Sequence, residues 1–149
     1  MPSSAELAVD AWEALFRSQV SLMRRFTTDD IWGPISLREY DVLFTLSRCP
    51  TGKLRLHDLN DEILLSQPSL SRLCDRLQKS GYIVREPDPT DKRGTVVALT
   101  ESGRAVQRDI GRKHAIKIRR YVGDALSDDE LTTLQTLCTK LRLAQSGID

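Results

Sequence analysis

A chain of 149 residues can bury one core of its own but not two, and its composition, 29% charged and 40% hydrophobic with no low-complexity tract, excludes a disordered or fibrous protein. No apolar run reaches the roughly 18 residues that cross a bilayer, and residues 1–16 carry acids where a secretory signal carries bases, so a cytoplasmic protein is expected. The net charge of +1 leaves room for a basic face, while three cysteines (Cys49, Cys74 and Cys138) that form no C-x-x-C pair, remote in sequence from the two histidines, argue against a disulfide framework or a metal site.

Residues 5–26 read as a helix. Val9, Trp12, Phe16, Val20 and Met23 recur at three- and four-residue steps, and Leu15, Leu22 and Phe26 widen the apolar stripe beyond what one packing partner needs. Gly33 and Pro34 break the pattern, and Ser36 caps a second helix holding Leu37, Tyr40, Leu43, Phe44 and Leu46, which ends at CPTGK, residues 49–53. A short third helix runs from His57 to Ile63, with Leu56, Leu59 and Ile63 as its apolar contacts. The fourth is the best specified: Ser66 is the N-cap, Pro68 falls in the first turn, Leu70, Leu73, Cys74 and Leu77 form the stripe, and Gly81 ends it. Strands over 82–86 and 95–99 then flank a long charged loop as a hairpin. Thr100 caps a long helix to about residue 122, and SDDE at 127–130 is a capping box for a last helix with Leu131, Leu134, Cys138 and Leu141.

Two helices joined by a tight turn and followed by a hairpin make a helix-turn-helix with a wing, so the fold class is mainly α with a small β-hairpin wing. Small polar residues open the fourth helix: Ser66, Gln67, Ser69 and Ser71 let its tip sink into a major groove, Gln67 can pair with a base edge, and Arg72 and Arg76 lie four residues apart on one face. At the hairpin tip Lys92 and Arg93 project between Asp91 and Gly94, where a wing reaches the minor groove, with Asp91 holding the Arg93 side chain. The plainer reading is a solvated amphipathic helix beside a loop kept soluble by mixed charge.

The run SLSRLCDRLQKSGYIVRE at 69–86, then Asp88, the Asp91-x-Arg93 pair and VALTESG at 97–103, resembles the MarR family of bacterial winged-helix repressors over nearly the whole chain. The resemblance implies an obligate homodimer of triangular shape, two recognition helices reading a pseudo-palindrome in double-stranded DNA, and Arg93 in the minor groove braced by Asp91. It divides the chain into an N-terminal dimerisation helix and linker at 1–34, a DNA-binding domain at 35–100 and C-terminal helices completing the interface at 101–149. Independently of it, the first, fifth and sixth helices carry more apolar surface than a winged helix of about 65 residues covers.

Family members commonly respond to small aromatic or phenolic ligands or to oxidants. Trp12, Phe16, Trp32, Tyr40 and His57 are candidate lining residues of an effector cleft, with Arg17 or Arg24 to meet a carboxylate, although aromatics at helical spacing are more often core. Redox sensing has less support. There is no cysteine near the start of the chain, Cys49 lies at a helix C-terminus, and Cys74 and Cys138 read as packing residues. No catalytic motif, cofactor loop or metal-spaced cluster points to an enzyme. A winged helix used to dock another protein is the remaining alternative.

Overall fold

The computed structural model describes residues 1–63 and 65–148. Ser3 opens α1 (Ser4–Thr28) with a reciprocal capping box: its hydroxyl accepts the Glu6 N–H at 3.2 Å, and its own N–H donates to the Glu6 carboxylate at 2.6 Å. The same device, Ser36 with Glu39, starts α2 (Leu37–Ser47). After the turn at Gly52, which sits at φ 67° where only glycine is unstrained, come β1 (Lys53–Arg55) and α3 (Leu56–Glu62). Then follow α4 (Gln67–Lys79), β2 (Ile83–Asp88), β3 (Asp91–Leu99) and α5 (Glu101–Ile118).

The wing is part of a three-stranded antiparallel sheet in the order β1-β3-β2. Sequence reading anticipates β2 and β3 but not β1, because three residues show no alternation. What holds β1 is the open edge of β3, with Lys53 opposite Ala98 and Arg55 opposite Val96, and the Leu99 N–H donating to the Gly52 carbonyl at 2.9 Å. The third helix begins and ends one residue earlier than expected, at Leu56 and Glu62.

Residues 1–113 form one compact unit and 114–149 a second. In the first, Leu43 and Leu46 from α2, Leu59 from α3, Leu70 and Leu77 from α4, Ile83 and Val97 are all below 2% exposed, so helices and sheet share one core. Each such side chain contributes about 1.5–3 kcal/mol by leaving water. The α5 N-terminus is stitched to this core. The Thr100 hydroxyl donates to the Gly81 carbonyl at 2.6 Å and accepts the Gly103 N–H at 3.0 Å, while the Thr100 N–H reaches the Tyr82 carbonyl at 3.1 Å. Gly103 is buried there, and a Cβ on it would fall on the Tyr82 carbonyl oxygen.

The α-helical part of α5 stops at Ile118, short of residue 122, and the path continues as a π-helical turn (Arg119–Gly123) in which the Asp124 N–H closes on the Arg119 carbonyl five residues back. A third capping box, Ser127 with Glu130, starts α6 (Asp128–Ala144). None of its residues is buried, and Leu134, Leu137, Leu141 and Leu143 are 41–61% exposed. On α1 only Phe26 is buried, while Leu7, Val9 and Trp12 stand open. Among the described residues no helix is long and apolar enough to cross a membrane, and no His/Cys/Asp/Glu group has a metal-binding arrangement.

Gly103→Ala should therefore destabilise the protein by about 2–3 kcal/mol, because helix and turn must separate to admit a methyl group. The midpoint of urea unfolding measures it, with Gly147→Ala, where a Cβ meets nothing within 4 Å, as a near-neutral control.

Candidate nucleic-acid interface

Burial of Leu70, Leu73, Cys74 and Leu77 decides which way α4 faces. With that stripe against the core, Gln67, Ser71, Arg72, Asp75, Arg76 and Lys79 look out. At the tip, the Ser66 hydroxyl accepts the Ser69 N–H at 3.3 Å and donates to the Ser69 hydroxyl at 2.9 Å; Ser69 in turn accepts from Arg72 Nη2 at 3.4 Å. Sequence reading missed the carboxylate in this face. Asp75 is held at 2.6 Å by Arg85 of β2, whose N–H and Nε both donate to Gln78 Oε1, so one arginine neutralises the acid and ties α4 to the sheet.

The wing differs from the expected long charged tip. Its strands run on until only Pro89 and Thr90 separate them, because the Asp88 carboxylate closes the turn by accepting the Thr90 N–H at 2.9 Å and the Thr90 hydroxyl at 2.8 Å. Asp88 pairs with Asp91 and Pro87 with Thr95, which leaves Lys92, Arg93 and Gly94 as a bulge on β3. Bulges re-aim side chains, and here both cations are exposed with no carboxylate in ion-pair reach among the described residues. Asp91 does not hold the Arg93 guanidinium. Its Oδ1 accepts the Arg93 backbone N–H at 3.0 Å and so shapes the bulge instead.

Between helix tip and wing lies a cleft of about 480 Å³ lined by Leu56, His57 and Asn60 from α3, Gln67, Pro68, Leu70 and Ser71 from α4, and Arg93, Gly94 and Thr95 from β3. Helix-turn-helix and wing thus meet around one groove of mixed polar and apolar lining, with Arg93 on its wing side. The family model for MarR matches residues 34–94, which hold every lining residue of the groove but Thr95. The multiple antibiotic resistance protein MarR of Salmonella typhimurium is 31% identical over 107 residues, 72% of this chain and 73% of that protein. The chain belongs to the MarR family of transcriptional regulators.

An HTH-type transcriptional regulator of Bacillus subtilis is 30% identical over 73% of the chain and 67% of its own length. Among solved structures, the MarR-family regulator AbsC from Streptomyces coelicolor superposes with a TM-score of 0.79 at 24% identity, covering 99% of both chains. A second MarR-family regulator from that organism, solved in complex with DNA, gives 0.78 at 25% identity over 100% of this chain and 91% of the other.

Within this MarR-family chain the residues proposed for an effector cleft fall in separate places. Trp32 and Tyr40 are core, 5.5 Å apart, with the Trp32 Nε1–H donating to the Phe26 carbonyl at 2.7 Å. Trp12 stacks on Phe16 at 5.5 Å along α1, with Arg17 over the Phe16 ring and Arg24 exposed further along. His57 lies instead in the groove, 78% exposed and 3.9 Å from Asp61. Arg76, expected to be open, has its Nε 4.0 Å from Glu39 of α2. Cys74 is fully buried, and burial pushes its thiol up, away from the reactive thiolate.

Beneath the wing, the Asp88 carboxyl is held below the usual carboxylate range by the two Thr90 hydrogen bonds, backbone first, with Arg55 Nε at 3.0 Å adding to them. A depressed pKa contributes stability that is present above the unfolded-state value and lost as pH falls through the folded one. Asp88→Asn should be less stable than the wild type at pH 7 by a gap that stays level down to about pH 5 and narrows below about pH 4, read from urea midpoints across pH.

Proposed function

We propose that a homodimer of this chain acts in the cytoplasm as a ligand-responsive repressor, binding a pseudo-palindromic operator with residues 35–100 while 1–34 and 101–149 supply the two-fold interface. The observation that carries this reading is the groove. An exposed Arg93, with no carboxylate partner among the described residues, stands on a bulge across a cleft from the small, polar tip of α4. In the bound state Gln67 and Arg72 face base edges in the major groove, Ser66, Ser69 and Ser71 permit close approach, and Lys92 and Arg93 enter the neighbouring minor groove. His57 joins this surface and leaves the effector site, and Arg76 supports the helix through Glu39.

The solvent-facing apolar side chains of α1 and α6 support a second copy as their cover. Two structural relatives also support the reading: the Streptomyces regulator in complex with DNA, and a C80S mutant of Escherichia coli MarR complexed with operator DNA. For an aromatic or phenolic effector, the exposed Trp12 stacked on half-buried Phe16, with Arg17 over the ring and paired with Glu13 at 3.3 Å, is the better-suited cluster, since Trp32 and Tyr40 already serve the core.

Selection of duplexes from a genomic fragment pool, followed by fluorescence anisotropy, tests the assignment. Arg93→Ala should cost about 1–3 kcal/mol on the selected site, and wild-type affinity should fall steeply between about 50 and 200 mM salt as counterions are released, whereas an apolar protein-docking surface would show no such slope. Sedimentation equilibrium should return twice the 16.8 kDa chain mass; a monomer would remove the two-fold readout.

A further inference from the structure

The wing's cations stand on a segment whose two ends are tied to one residue of β1. Arg55 sits opposite Val96, just past the bulge, through the strand register. Its side chain reaches the other end, where Nε meets Asp88 Oδ2 at 3.0 Å and Nη2 donates to the Thr90 hydroxyl at 2.9 Å. The Thr90 hydroxyl in turn donates to Asp88 Oδ1 at 2.8 Å, so guanidinium, hydroxyl and carboxylate close a ring. The Asp88 side chain is 4% exposed, so without Arg55 its carboxylate would be left buried without a countercharge. Gly94 crosses directly above: a Cβ there would lie 3.0 Å from the Asp88 Cβ and 3.2 Å from Oδ2. The bulge backbone at Gly94 thus packs against the Asp88 side chain that Arg55 holds.

On the DNA-binding reading above, we propose that Arg55 is a positioning residue for operator binding: through Asp88 and Thr90 it fixes the bulge from which Arg93 enters the groove. Arg55 is itself 56% exposed on its side chain, so a direct phosphate contact is the rival explanation of any loss on its removal. The two differ in whether the loss depends on Arg93.

A double-mutant cycle on the selected duplex separates them, using Arg55→Met, Arg93→Ala and the double variant at one salt concentration, with thermal unfolding and sedimentation of each. Arg55→Met should weaken binding about 5–20-fold in the wild-type background and less than about twofold in the Arg93→Ala background, because a positioner has nothing left to position. Thr90→Val, which removes the bridging hydroxyl and no charge, should show the same dependence with a smaller loss, and it serves if Arg55→Met does not fold. Equal fold-losses in both backgrounds, or no loss in either, would overturn the proposal while leaving the DNA-binding reading intact. A wild-type protein that prefers no duplex would remove both.

Discussion

The docking of α4 is the constraint on which the rest depends. Four apolar side chains, Leu70, Leu73, Cys74 and Leu77, share one stripe of a 13-residue helix and are all buried, so the helix has a single rotational setting. That setting turns Gln67, Ser71 and Arg72 outward and places Asp75 within reach of Arg85, which locks β2 to the same helix. The wing is therefore placed by the core as well as by its own turn. Thr100 and the glycine at 103 add the second restraint, since α5 can start only where its backbone lies against the Tyr82 carbonyl.

Charge is distributed so that the groove keeps its cations. Lys53 with Glu86 and Arg85 with Asp75 are partly exposed pairs of the kind that contribute little stability, about 0–1 kcal/mol, but they cancel charge locally. Among the described residues, Arg93 in the groove and its sequence neighbour Lys92 carry no ion pair, and Arg72 on the exposed face of α4 meets only the Ser69 hydroxyl. A net charge of +1 thus coexists with a cationic face, because the acids elsewhere carry the balance.

The helices were legible in the sequence because their signals are local. Ser36, Ser66 and Ser127 act as N-caps, and apolar spacing marks the buried face of α4. Of the candidate site, Gln67, Ser71 and Arg93 line one groove, whereas Ser66, Ser69, Arg72, Arg76 and Lys92 do not line it. What escaped depends on partners far along the chain. Arg55 acts through a carboxylate 33 residues away, β1 exists only against an edge formed 41 to 45 residues later, and Asp75 is neutralised from the next strand. Only the Asp88 turn had a local sign, an Asp two residues before a Thr, and it was obscured by the charges around it. The aromatic residues misled for a related reason. Helical spacing is the same whether a ring packs inward, as Tyr40 does, or stands in water, as Trp12 does.

Helix α1 is about 37 Å long at 1.5 Å per residue, yet it buries only Phe26. Side chains such as Leu7, Val9 and Trp12 contribute nothing to the core of a single chain, and the same holds for Leu137 and Leu141 on α6. In the proposed dimer these stripes set affinity without touching DNA. One copy offers one α4 tip and one wing, whereas two joined copies make the second half-site encounter intramolecular and raise its effective concentration. Dimer stability, protein concentration and operator occupancy are then linked by mass action. On the proposed reading, a ligand bound beside Trp12 and Phe16 would act on the geometry that joins the two grooves and would not need to reach either of them to release the duplex.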